Sequence, residues 1–139
     1  MPMSTFDAIA WDRLVRGIEC PLCDLSHKQV VGELPSGHVE FVAAADFIGY
    51  CLLVHKRHVV ELFELSAEEQ CKFIADVTHV AKCLADLLRP DKINYEILGN
   101  AVPHLHCHIF PRYSSDGYWG GPIWWRPMEQ RRWLPEPEA

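Results

Sequence analysis

From His104 to Arg112 the chain reads His-Leu-His-Cys-His-Ile-Phe-Pro-Arg, and this alternation of histidine with apolar residues constrains its folding more than any other stretch. A β-strand sends residues i, i+2 and i+4 to one face, so an extended run sets His104, His106 and His108 side by side with Leu105, Cys107 and Ile109 behind them. The pattern predicts a strand whose apolar face rests on a core and whose histidine face is exposed. Three imidazoles buried for structural reasons would each need a partner of their own, which argues against a purely structural role. A metal site made from the run alone is also awkward. Same-face neighbours lie about 6.6 to 7 Å apart and can share one ion, while the outer two, about 13 Å apart, cannot easily join them. At least one histidine is left for other work.

The remainder supplies what such a strand needs to pack on. At 139 residues the chain is expected to be one domain, 1–139, with a core of its own. Phe6, Ile9, Ala10, Leu14 and Val15 recur at helical spacing through Asp7–Arg16, a short helix that Trp11 helps to dock. Val30, Val31 and Leu34 begin a strand, Pro35-Ser36-Gly37 turns it, His38 to Ala44 returns, and Gly49 introduces a central strand from Tyr50 to His55. Ser66-Ala67-Glu68-Glu69 is a capping box. The long helix it opens carries Phe73, Ile74, Val77, Val80, Ala81, Leu84, Leu87 and Leu88 as one apolar stripe ending near Pro90. Ile93, Tyr95 and Ile97 alternate through Lys92–Leu98, a strand that Gly99-Asn100 separates from the histidine run and that should pair with it. The expected fold is α+β, an antiparallel sheet with one long helix and a short N-terminal one.

A net charge of −6 excludes non-specific binding to nucleic acid, which needs a basic field over the whole footprint. No apolar run reaches the roughly 20 residues that cross a bilayer. Met1–Thr5 lacks the basic start and apolar centre of a signal peptide, so a cytoplasmic protein with no membrane partner is expected. Of the six cysteines, Cys51, Cys71, Cys83 and Cys107 sit in apolar periodic segments and read as core filler. Cys20-Pro21-Leu22-Cys23 differs, because a two-residue spacer turns both sulfurs toward one point, as in zinc sites and redox pairs. Structural zinc takes four sulfur or nitrogen ligands, so a site on this pair would need two histidines.

The histidine run, with Ile109-Phe110 and Pro111-Arg112 after it, resembles the signature of the histidine triad (HIT) superfamily, in its zinc-containing bacterial form. Leu98 to Pro103 and Gly49 to His58 are similar to family segments too, so the resemblance spans roughly residues 20 to 113. It implies a zinc ion clasped by Cys20, Cys23, His58 and His104. It also implies that His106 attacks the α-phosphorus of a nucleotide to form a nucleotidyl-histidine that water cleaves, while His108 binds and orients the phosphate. Gly99, Asn100, Ala101 and Val102 lie beside the triad, where backbone N–H groups and the Asn100 amide can stabilise charge on phosphate oxygens, and Arg112 can add a full charge. The implied function is a nucleotide phosphohydrolase or nucleotidyl transferase acting on a nucleoside phosphoramidate or dinucleoside polyphosphate, with a purine nucleotide as substrate and a homodimer as the working form. The alternatives are a non-catalytic nucleotide- or phosphate-binding module and a hydrolase that uses the triad itself as a metal site.

Three positions depart from the family pattern. Asn100 and Ala101 stand where many members have glutamine and then serine or threonine. Tyr50 stands where many have histidine. Val42 to Ala45 occupies the region of a ribose-binding Asn or Asp, leaving Asp46 as its only polar neighbour. From Tyr113 onward the last 27 residues hold four of the ten prolines and four of the five tryptophans without a period. Such a tail should bury its tryptophans against its own domain or, as favoured here, across a two-fold axis. Glu136 to Ala139 should fray.

Overall fold

Helix α1 (Ala8–Val15) starts where Asp7 caps it, the carboxylate accepting from the N–H groups of Ile9 and Ala10 at 3.0 and 3.1 Å. The computed structural model describes residues 5–26 and 29–135. The expected frayed end at Glu136–Ala139 and most of the Met1–Thr5 stretch lie outside them. No helix among the described residues is long and apolar enough to cross a membrane.

Five strands form one antiparallel sheet: β1 (Val30–Leu34), β2 (Gly37–Phe41), β3 (Cys51–His55), β4 (Lys92–Glu96) and β5 (His106–Arg112), in the order β1-β2-β3-β5-β4. The expected meander and the pairing of the Lys92 strand with the histidine strand are both present, the latter in the register Glu96 to His108. Helix α2 (Ala67–Leu88) begins at the expected capping box, Ser66 and Glu69 each accepting the other's backbone N–H, and ends at Arg89 in the left-handed conformation, φ 48°. It lies on the sheet face formed by Val39, Cys51, Leu53, Cys107 and Ile109, against which Phe73, Val77, Val80 and Ala81 are buried. Asp76, buried on the same helix, accepts from the Ser36 N–H and hydroxyl at 2.8 and 2.5 Å, which satisfies a carboxylate inside the core and pins the β1–β2 turn to the helix. This is the expected α+β fold.

Two expectations are corrected. The histidine face is not exposed: His104 and His106 are 3% and 7% accessible. At one end Cys20 and Leu22 pack on Val54, and at the other Ile123 of the tail packs with Phe47, Tyr50 and Phe110. Nor are all four helical and strand cysteines core filler. Cys51 and Cys107 are buried, but Cys71 and Cys83 ride the outer side of α2 in solvent, because a stripe at three- and four-residue spacing covers only one side of a helix.

The tail packs on its own chain. Its hub is Arg112, whose guanidinium donates to both carboxylate oxygens of Asp116 (2.6 and 3.1 Å), to Asn94 Oδ1 (3.0 Å) and to the carbonyls of Tyr118 and Gly121 (2.7 Å each). Further on, Ala45 N–H donates to the Arg132 carbonyl and Leu134 N–H to that of Ala43, and Asp46 accepts from Arg132 Nε at 2.8 Å. The tryptophans are not the anchors: Trp119, Trp124, Trp125 and Trp133 remain between 37% and 63% accessible. A buried, fully hydrogen-bonded arginine folds the segment instead.

Candidate functional site

Between the N-terminal loop and the tail, the histidine face holds two adjacent sites. The first is a cluster of Cys20, Cys23, His58 and His104, whose ligand atoms all lie within 4.8 Å of one another. His104 belongs to the loop before β5 rather than to the strand itself, so its ring leaves the row of its neighbours and joins the cysteines. Its Nδ1 stands 3.5 Å from Cys20 Sγ, 3.4 Å from Cys23 Sγ and 3.1 Å from His58 Nδ1. Cys23 Sγ is also 3.4 Å from His58 Nδ1. A zinc tetrahedron with bonds of about 2.0 to 2.3 Å has edges of roughly 3.3 to 3.8 Å, so these spacings fit one small metal ion. The rings are prepared for it. His58 Nε2 donates to the Val15 carbonyl at 2.9 Å and His104 Nε2 to the His55 carbonyl at 2.7 Å. Because a carbonyl only accepts, both protons are fixed on Nε2 and both Nδ1 lone pairs face the thiols, as metal-binding histidines require. Burial, and then the Cys20 thiol beside it, push the Cys23 thiol up to about 11, and a cation at the centre would favour its thiolate. No disulfide joins the pair.

The second site is a cleft of about 390 Å³ lined by Leu22, Leu52, Leu98, Gly99, Asn100, Ala101, Val102, His106, His108 and Trp124. It brings together six of the expected residues: His106, His108 and the Gly99–Val102 loop. His106 Nδ1 donates to the His104 carbonyl at 2.6 Å, which leaves Nε2 with a free lone pair. The His108 ring lies 4.8 Å from that of His106 and receives the Tyr50 hydroxyl at Nδ1, 2.6 Å away. Burial, with the Glu96 charge adding to it, raises Tyr50 and keeps it a phenol. Burial, and then the charge of His106, lower His108 to about 4, so at neutral pH His108 is uncharged. With Tyr50 donating to Nδ1, His108 carries its proton on Nε2. Gly49 makes this contact possible: its φ is 92°, and a Cβ there would lie 2.3 Å from Leu88, so only glycine can turn the chain into β3 and aim Tyr50 at His108.

The triad does not form one metal site, since His104 is drawn into the cysteine cluster and no other group of three or more metal-ligating side chains occurs among the described residues. Arg112 is also not brought to the cleft. It lies on the histidine side of β5, but its guanidinium is 2% accessible and bound to Asp116. Asp46, the one polar residue near the missing ribose ligand, is held by Arg132 and Arg126. The tail adds residues that the sequence did not mark. Trp124 stands edge-to-face with His108 at 5.3 Å and with Phe110 at 5.8 Å, and its indole N–H donates to Glu96. The tail therefore walls the cleft of its own chain.

Comparison with known proteins agrees with this geometry. The HIT domain family model matches residues 26–115. Protein hit of Bacillus subtilis (strain 168) is 31% identical over 111 residues, 70% of this chain and 75% of that protein. Among solved structures, a histidine triad (HIT) protein of Sinorhizobium meliloti superposes with a TM-score of 0.70 at 27% identity, over 96% of this chain and 85% of that one. A histidine triad protein of Marinobacter aquaeolei does so with a TM-score of 0.67 at 29% identity, over 72% and 73%. With the family model covering well over half of its residues, the chain belongs to the HIT family.

Proposed function

We propose that the protein is a nucleotide phosphohydrolase or nucleotidyl transferase in which His106 attacks the α-phosphorus of a nucleoside phosphoramidate or dinucleoside polyphosphate. Proteins of the HIT family are generally nucleotide hydrolases or transferases. The observation that carries the reading is the 2.6 Å hydrogen bond from His106 Nδ1 to the His104 carbonyl, which leaves Nε2 unprotonated on a ring lining the cleft. The Nε2 lone pair forms a bond to phosphorus, and the bond to the leaving group breaks with its electron pair going to that group, an amine taking up a proton from solvent. Water then attacks the phosphorus, the P–N bond returns its pair to His106, and a nucleoside monophosphate is released. His108 Nε2–H donates to a phosphate oxygen, and the Gly99–Val102 backbone with the Asn100 amide receives the others. Leu22, Leu52 and Val102 offer the apolar wall that a purine nucleoside requires.

Zinc, in this proposal, is held by Cys20, Cys23, His58 and His104 and is structural. It ties the N-terminal loop to the sheet and so keeps Leu22 in the cleft. Purified protein should contain about one zinc per chain by elemental analysis. A homodimer belongs to the same proposal, supported by β4, an edge strand with Tyr95, Ile97 and Leu98 exposed beside it, and sedimentation tests it. For the chemistry, His106→Asn should lower kcat by at least about 10³-fold while melting and nucleotide affinity are kept. A variant with normal rates would move the attack to another residue. Unaltered protein that binds nucleoside monophosphate but turns over neither substrate class would be a binding module.

A further inference from the structure

No side chain lining the cleft is ionisable apart from the two histidines, and His108 is neutral at pH 7. A nucleoside phosphate entering it brings negative charge into an apolar wall without a fixed cation in that wall, a costly arrangement unless one stands close by. With Arg112 bound to Asp116, the cation that stands by is Arg131. Its guanidinium lies 5.3 Å over the Trp124 ring, and Trp124 touches His108. Its Nε donates to the Arg126 carbonyl at 3.2 Å, which fixes the stem, while neither Nη group has a hydrogen bond or ion pair among the described residues. Its charge is felt by Tyr50, the residue bonded to His108, against the opposing charge of Glu96. Glu96 itself is engaged by the Trp124 indole.

Arg131 is thus a cation at the margin of the cleft, reached over Trp124 rather than lining the cleft itself. Leu22, Leu52 and Val102 form an apolar wall, and Trp124 with Arg131 behind it bounds the other side, next to His108. Resting on the reading that His106 attacks a nucleotide, we propose that Arg131 determines specificity by receiving the anionic part of the leaving group. The protein then prefers leaving groups that depart as phosphate anions over those that depart as neutral amines. The bond that breaks is the bond from the α-phosphorus to the bridging oxygen. Its electron pair becomes a new terminal phosphate charge, and the free Nη groups of Arg131 meet that charge with charge-assisted hydrogen bonds. The guanidinium is preorganised by the indole beneath it, so little freedom is lost when the anion arrives.

The experiment compares kcat/KM for a dinucleoside polyphosphate and for a nucleoside phosphoramidate with a neutral amine leaving group, in the unaltered protein, Arg131→Gln and Arg131→Lys, with thermal melts as a control for folding. The ratio of polyphosphate to amidate should fall by about tenfold to a hundredfold in Arg131→Gln, and the lysine variant should recover part of it. If both substrates are turned over and the ratio is the same in Arg131→Gln, this inference is wrong and the function proposed for His106 stands. If the unaltered protein turns over neither, both fall together.

Discussion

The N-terminal loop and the C-terminal tail cover the same face of the same sheet, and they are held there by opposite means. The tail is self-sufficient: Arg112 and Asp116 form a two-pronged ion pair with both side chains about 1–2% accessible, and the remaining guanidinium donors reach Asn94 and two carbonyls. The loop brings Cys20 and Cys23 to His58 and His104, four ligand atoms around one point with each histidine already turned by a backbone carbonyl, a set that a cation at the centre would bind together. One cover is closed by the chain's own charges, and the other would, on the proposed zinc, be closed by a charge taken from solution. The cleft between them depends on both, Leu22 coming from the first and Trp124 from the second.

The largest expected effect breaks the tail side of this comparison. Arg112→Met leaves Asp116 as a buried, unpaired carboxylate and should cost about 3 to 5 kcal/mol in urea unfolding. Removing Asp116 as well, in Arg112→Met/Asp116→Leu, should restore part of the loss, whereas simple additivity of the two changes would show that the pair is not coupled.

Metal removal is the matching test for the loop. If the metal was present at a hundred times its Kd, chelation should lower stability by about 2.7 kcal/mol, and Cys20→Ser should lose as much with no further change on chelation. Melts that do not respond to chelator would mean that the loop, like the tail, is held by its own bonds.

Acid should separate the cleft from the tail by the smallest effect. His108 sits at about 4 against an ordinary 6.5, so its share of stability is complete above pH 6.5 and is lost as pH falls from 6.5 to 4. Burial raises Asp46 and Asp116, but hydrogen bonds and charges from Arg132 and Arg126 on the first, and mainly hydrogen bonds from Arg112 and nearby backbone N–H groups on the second, outweigh it. Both are held below the ordinary 3.8. Their contribution is complete above 3.8 and is lost only as pH falls through the depressed values. Urea midpoints across pH 3 to 8 should show both segments, and Asp46→Asn, costing about 1 kcal/mol at neutral pH, should flatten only the lower one.

What the sequence made legible was whatever rests on local period or spacing. The alternation at β5, the capping box of α2 and most of its stripe follow from intervals of two, three or four residues and lie where expected, save Ile74 and Leu87, which are exposed. Of the cluster, spacing marks only Cys20 and Cys23, while His58 and His104 come from the resemblance to the family. Arg112 shows where such reasoning stops. Parity puts it on the histidine side of β5, but parity is silent on distance, and four residues beyond His108 is about 13 Å along a strand, beside Asp116 rather than the cleft. Trp124 and Arg131 had no period to announce them, because their positions follow from the Arg112 anchor and not from their neighbours. Tyr50 was visible as a departure from the family, but its bond to His108 required the turn at Gly49.

The arrangement of the cysteines gives the molecule a built-in chemical gauge. Cys71 and Cys83 stand in solvent on the outer side of α2, while Cys51 and Cys107 are buried with their thiols raised to about 11, which slows attack on any electrophile. Cys20 is buried and Cys23 exposed with its thiol raised, and an ion held by both sulfurs would mask them further. A thiol reagent therefore reads the occupancy of the cluster by stoichiometry, counting two fast sulfurs when the ion is in place and a slower third at the exposed Cys23, with Cys20 buried beside it, when the ion has gone, with no substrate in the tube.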